Sequence, residues 1–111
     1  MNTTKTINLE EYRTPNSKIF TGRDRGRDVR ERSKIDELET QYEKIEIIIP
    51  DNIFSINPSF FEEFIIKVVQ KLGKKVFFER FSFKSIGEYD CTESLDEAVD
   101  RVLRSKTALS H

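Results

Sequence analysis

The chain contains one cysteine and one histidine, and it has no glycine-rich loop. Each scarcity removes a class of chemistry. With Cys91 alone, an internal disulfide and a multi-thiolate metal site are excluded. His111, the single histidine, stands at the last position and is not expected to serve as a positioned general base. Gly22 and Gly26 enclose Arg-Asp-Arg, without the lysine and the setting that a phosphate-cradling loop requires. No apolar run reaches the length of a membrane span or a secretory core, so no membrane association is expected and a reducing cytoplasm is the expected compartment. Strong net charge is missing too. The 19 basic and 20 acidic side chains leave -1 at pH 7, which argues against coating nucleic acid by charge alone.

What is present is one domain's worth of chain, 111 residues, expected to form a single unit over 1–111. Residues 1–19 are expected to supply edge strands or an arm, and 107–111 a frayed tail. Only 36% of the residues are hydrophobic and 35% are charged, so the core must be concentrated in the apolar segments, mostly between Ile45 and Phe83. Six of the nine phenylalanines (Phe60, Phe61, Phe64, Phe77, Phe78, Phe81) fall there.

The run Lys44-Ile45-Glu46-Ile47-Ile48-Ile49-Pro50 is β-branched and reads as a buried strand. Lys5–Leu9 alternates weakly and suits an edge strand. Thr14–Ser17 is a turn, and Lys18–Phe20 is expected to return as its partner strand. Ile35, Leu38 and Tyr42 form one helical stripe, predicting a largely solvated helix over about Gly26–Tyr42. Phe61, Phe64, Ile65, Val68 and Leu72 follow a helical period, with Phe60, Ile66 and Val69 widening the apolar surface, and Gly73 is a natural stop. Two caps fit the start of that helix: Asn57 with Pro58 at the first helical position, or Ser59 with Glu62 as a capping box. Beyond Gly73, a short helical turn around Phe77, Phe78 and Phe81 leading into a strand Arg80–Lys84 is favoured over one long strand. A last helix, Ser94–Arg104, carries the stripe Leu95, Ala98, Val99, Val102 and Leu103, with Ser94 and Glu97 as its capping box.

The order of these segments resembles that of STAS domains, the module of sulphate transporters and anti-sigma factor antagonists, in a small stand-alone bacterial form. The residues that carry the resemblance are Phe20-Thr21-Gly22-Arg23, Gly26 to Arg32, the strand Lys44–Pro50, Ser55 to Phe61 and Phe81-Ser82-Phe83. They span about Phe20 to Leu103. The resemblance implies an α/β fold, a STAS-like mixed sheet with Ile45–Ile49 at or near its centre and helices packed against it. It also implies a non-enzymatic protein–protein interaction module in bacterial regulation, with a kinase-type ATPase as the partner to look for. In antagonist-type members an Asp followed by a phosphorylated Ser precedes the corresponding helix. The matching positions here are Asn57 and Pro58, and proline accepts no phosphate, so Ser59 or Ser55 is the candidate acceptor only with a shift of the alignment.

The residues themselves suggest a docking face. Asp51-Asn52-Ile53-Phe54-Ser55 carries two apolar side chains without strand length or helical period to bury them, so Ile53, Phe54, Ser55, Asn57, Ser59 and Phe60 are the expected partner-binding residues. Ser59 and Asn57 both have a plainer reading as cap residues. Arg23, Arg27 and Arg30 fall at i, i+4 and i+7, one helix face suited to an anion or an acidic partner surface. Ion pairs of Arg27 with Glu31 and Asp28 with Arg32 are expected beside it. A nucleic-acid-binding or phage- and defence-associated regulator using the Arg-rich segment 23–32 ranks second, weakened by the interleaved Asp24, Asp28 and Glu31. No nucleophile–base pair is visible and Cys91 sits near Asp90 and Glu93, which would raise its pKa, so no enzymatic activity, metal or cofactor is expected.

Overall fold

The computed structural model describes residues 3–109, with side chains through Ser105. Three strands, β1 (Thr4–Asn8), β3 (Lys44–Ile49) and β5 (Phe81–Ser85), form a sheet in the order β1-β3-β5. Two short strands, β2 (Ile19–Phe20) and β4 (Ser55–Ile56), pair with each other. The helices are α1 (Arg23–Ser33), α2 (Ile35–Gln41), α3 (Pro58–Arg80) and α4 (Thr92–Leu109). The chain is thus α/β with helices against a sheet and β3 at its centre, as expected. Every pairing among the described residues is parallel, however, where a mixed sheet was expected. The difference arises at the first strands. β1 and β2 do not form a hairpin: β1 pairs with β3 in the register Ile7 to Ile47, and β2 with β4 in the register Phe20 to Ile56. A 3-10 turn over Leu9–Tyr12 drives this separation by burying Leu9 completely.

Strand β3 reads exposed, buried, intermediate, buried, intermediate, buried. Ile45, Ile47 and Ile49 therefore face the helices with Ile7 and Phe81, while Thr6, Glu46, Ser82 and Lys84 occupy the other face. Helix α3 is buried around most of its circumference, with Phe60, Phe61, Phe64, Ile65 and Val69 all inaccessible to solvent, because it meets the sheet and also packs against α1 and α4.

The single helix expected over Gly26–Tyr42 is two helices. Lys34 adopts a left-handed conformation (φ 59°, ψ 35°), its N–H closing α1 on the Arg30 carbonyl, and this turn lets both Val29 and Ile35 reach the core. At Gly73 the expected stop is a one-residue interruption (φ 81°, ψ 167°) that only glycine adopts easily, after which the chain resumes helical geometry through Arg80. Residues 74–80 are therefore helix, and the strand follows at Phe81, one residue later than expected. Helix α4 begins at Thr92 and runs to Leu109, longer at both ends than expected; residues 110 and 111 of the expected tail lie outside the described residues.

Arg80 locks the end of α3 to α2. Its Nε donates to the Glu43 carbonyl at 2.9 Å, its Nη2 to the carbonyls of Glu39 (2.7 Å) and Tyr42 (2.6 Å), and its Nη1 to Glu39 Oε2 at 2.7 Å. One guanidinium thus serves the orphan carbonyls at the C-terminus of α2. Lys71 Nζ takes the other Glu39 oxygen at 2.7 Å. Burial alone would raise the Glu39 pKa, but the hydrogen bonds from Lys71 and Arg80 outweigh it and hold the carboxyl below its ordinary 4.5.

Two expectations follow from this packing. A carboxyl with a depressed folded-state pKa stabilises the fold above its ordinary value and loses that contribution as pH falls through the folded-state value. Replacing Glu39 with Gln should therefore lower stability at pH 7, with a gap to wild type that narrows below about pH 4.5 in urea titrations. Because Lys71 is half-exposed and keeps water, Glu39→Ala should cost about 2–3 kcal/mol, short of a fully buried pair. The second concerns Gly26, where α1 approaches α3 so closely that a Cβ would strike the Phe60 carbonyl oxygen and lie 3.0 Å from Glu63 Cβ. Gly26→Ala should destabilise by at least about 1 kcal/mol despite the better helix propensity of alanine, seen as a lower denaturation midpoint.

Candidate functional site

The loop between β3 and α3 is built by hydrogen bonds from three directions. Arg13 Nη2 donates to the carbonyls of Asp51 and Asn52, both at 2.9 Å, while its Nε donates to the Ser17 carbonyl at 2.9 Å. The Phe54 N–H donates to the Lys18 carbonyl and the Asn57 N–H to the Phe20 carbonyl at 2.9 Å, extending the β2–β4 pairing on both sides. From α4 and the segment before it, the Ser94 hydroxyl donates to the Ile56 carbonyl at 2.6 Å, and the Ile56 N–H donates to the Tyr89 hydroxyl at 3.1 Å. Ser94 is thus not the cap of α4 that the Ser94–Glu97 box implies; it lies in the first turn and holds β4.

On this frame the apolar residues part company. Ile53 is 9% exposed and Ile56 is buried, whereas Phe54 is 81% exposed. Phe60 is fully buried against Phe20, ring centroids 5.1 Å apart, so it supports the loop from beneath and is corrected from contact residue to core. Ile53 is corrected in the same sense. Ser55 and Asn57 are exposed and Ser59 is half-buried.

The choice of cap is resolved. Asn57 Oδ1 accepts the Ser59 N–H at 2.9 Å and the Ser59 hydroxyl at 2.8 Å, with Pro58 at the first helical position. The same device recurs at α4, where Asp90 Oδ1 accepts the Thr92 N–H at 2.9 Å and its hydroxyl at 2.6 Å. Those bonds hold the Asp90 carboxyl below its ordinary pKa. Burial next to it, with the Asp90 charge adding, pushes the Cys91 thiol up to about 11, so it is protonated and unreactive at neutral pH.

The arginine face finds its acid within the chain. Arg23 lies 3.2 Å from Glu62 and 3.8 Å from Glu63, Arg27 lies 3.7 Å from Glu63, and Arg30 donates to the Glu63 carbonyl at 2.6 Å while standing 3.8 Å from its carboxylate. The i, i+4, i+7 face expected to take an anion or an acidic partner meets an acidic surface of the same chain. That surface is the first turns of α3. Asp28 pairs with Arg32 at 3.3 Å as expected, whereas Arg27 turns to Asp24 and Glu63 and no Arg27–Glu31 pair is seen.

Among the described residues no group of three or more His, Cys, Asp or Glu side chains is arranged to hold a metal ion, and no helix is long and apolar enough to cross a membrane. No family model, curated protein or solved structure matches the chain. The residues that sequence reasoning missed are Arg13 and Tyr89. Neither stands in a periodic segment, and the main-chain groups of the loop that they hold are 33 to 39 residues away.

The capping geometry sets an expectation for both residues. Asn57→Ala should cost about 1 kcal/mol in thermal or urea unfolding, whereas Ser59→Ala, which leaves the Asn57 cap on the main chain, should cost under about half of that.

Proposed function

We propose that the chain is a non-enzymatic, STAS-like protein–protein interaction module acting in bacterial regulation in the cytoplasm, docking its partner through the loop that displays Phe54. The observation that carries this reading is the contrast between Phe54, 81% exposed, and the frame that holds it. A large aromatic side chain on a loop already fixed by hydrogen bonds loses little freedom on association, which is what a binding anchor requires. Exposed Ser55 and Asn57 supply polar groups at its rim. The helices packed against a sheet with β3 at its centre fit the STAS resemblance, whereas the all-parallel pairing departs from the mixed sheet it implies; by that analogy a kinase-type ATPase is the partner to seek.

Ser59 enters this reading as a supporting residue of the cap. A phosphate there would sit at the start of α3 close to the displayed loop and would add charge where a partner must be desolvated. Nucleic acid ranks lower, since Arg23, Arg27 and Arg30 already face Glu62 and Glu63.

Phe54→Ala is the discriminating variant, because the side chain makes no buried contact whose loss would unfold the protein. Its stability should stay within about 0.5 kcal/mol of wild type. Affinity capture from the native host should lose one defined partner, with at least a tenfold weaker Kd, about 1.4 kcal/mol, when that partner is purified. Retention of the same partner at the same affinity by folded Phe54→Ala would refute the docking face.

A further inference from the structure

A second surface lies at the outer edge of the sheet. β5 pairs with β3 on one side, and no described strand lies on the other. The register sets which main-chain groups are free. Ile47 opposes Phe83, Ile49 opposes Ser85, and the Ile86 N–H donates to the Ile49 carbonyl at 3.0 Å. In a parallel ladder alternate residues bond to alternate sides, so Ser82, Lys84 and Ile86 bond inward to β3. Phe83 and Ser85 turn their N–H and C=O groups outward, whereas the Phe81 N–H closes α3 on the Phe77 carbonyl.

The side chains of Phe81, Phe83 and Ser85 point to the helix-covered face, where they line a cleft of about 490 Å3 between β5 and α4. Phe78, on the last turn of α3, and Leu95, on α4, supply further apolar wall. Phe78 is 37% exposed, so this surface reaches solvent. Every charged residue lining the cleft is acidic: Glu88, Asp90 and Asp96. An extended segment laid along β5 would place every second side chain over the cleft and its outward amides against Phe83 and Ser85.

We propose that the outer edge of β5 accepts an extended, cationic segment of a partner protein as an added strand, its apolar side chains entering the cleft and its lysines or arginines meeting Glu88, Asp90 and Asp96. Charge complementarity selects this occupant. A second copy of the chain would pair β5 with β5 about a twofold axis and bring two acidic mouths together. A cationic strand is attracted to the mouth instead, with an uncharged face turned to Lys84. The proposal concerns a surface separate from Phe54 and does not depend on the docking reading above.

The test uses the full chain and the fluorescein-labelled decapeptide Thr-Val-Thr-Val-Thr-Val-Thr-Lys-Thr-Lys, whose alternation puts valines and lysines on one face and threonines on the other, followed by fluorescence anisotropy and by amide chemical shifts. Binding with the largest shifts at Phe83 and Ser85 is expected. Affinity should fall at least about tenfold for a block decapeptide of five threonines, three valines and two lysines in that order, which has the same charge without the alternation, and for one with glutamate in place of lysine. Asp96→Lys, at an exposed position, should weaken the alternating peptide by a similar factor, and Ser85→Pro should do so by deleting an outward N–H while sparing the bonds to β3. Phe54→Ala should have no effect. The proposal is overturned if the alternating peptide does not bind at millimolar concentration, if the block peptide binds equally well, or if the shifts lie elsewhere. A concentration-dependent dimer with protected Phe83 and Ser85 amides in the absence of peptide would also overturn it, in favour of a second copy.

Discussion

The approach of α1 to α3 at Gly26 is the constraint on which the rest of the molecule rests. Without a side chain there, the helix backbone comes to rest on the Phe60 carbonyl, and every neighbouring residue takes its position from that distance. At this spacing the Arg30 guanidinium reaches the main-chain carbonyl of Glu63, and Arg23 and Arg27 reach the α3 carboxylates. At a wider spacing the three arginines would turn to solvent, leaving Glu63 uncompensated and Glu62 with Arg101 alone, which is costly. Phe60, held from this side, in turn supports Phe20 and the β2–β4 pair that carries the exposed loop.

Electrostatics then joins the helices into a layer. Glu62, almost fully buried, stands between Arg23 of α1 and Arg101 of α4, at 3.2 and 3.7 Å. Lys74 and Asp100 pair at 3.0 Å further along α3 and α4, and Glu39 with Arg80 closes the end nearest α2. The formal charge of -1 hides this organisation, because basic residues of one helix are matched to acids of the next. The exception is the stretch from Glu88 to Asp96, which holds four acids and no lysine or arginine, and which borders the cleft beside β5.

Elements with a strong period were legible in the sequence, and those fixed by distant partners were not. β3, the first half of α3 and the stripe of α4 appear where alternation and the helical repeat place them, and the short helical turn favoured before β5 rested on the face that Phe81 and Phe83 share, which left the extent of helix over 74–80 open. The misreadings share one cause. Pairing β1 with β2 across the Thr14–Ser17 turn was the local solution, but Leu9 has a buried place in the 3-10 turn and Ile7 a parallel partner in Ile47. Lys34 carries no turn signature, and its left-handed conformation is required only because Val29 and Ile35 both belong inside. The exposed loop was half legible: lack of periodicity marked it, but not which of Ile53, Phe54 and Phe60 would remain outside. That depended on Arg13, Tyr89 and Ser94, whose hydrogen bonds close the loop from far along the chain.

The all-parallel pairing bears on how the sheet comes into being. Thr4 lies beside Lys44, Ile45 beside Phe81 and Phe20 beside Ile56, so no ladder among the described residues is closed by a turn. Each one requires a long loop to close before its first hydrogen bond forms, and the entropy of that closure is met in advance of any gain. Contacts between α3 and α4, and the turns of α3 itself, are more local. A chain of this topology has no hairpin from which a sheet could start, and the surface best placed to gather its strands is the phenylalanine-rich side of its own central helix.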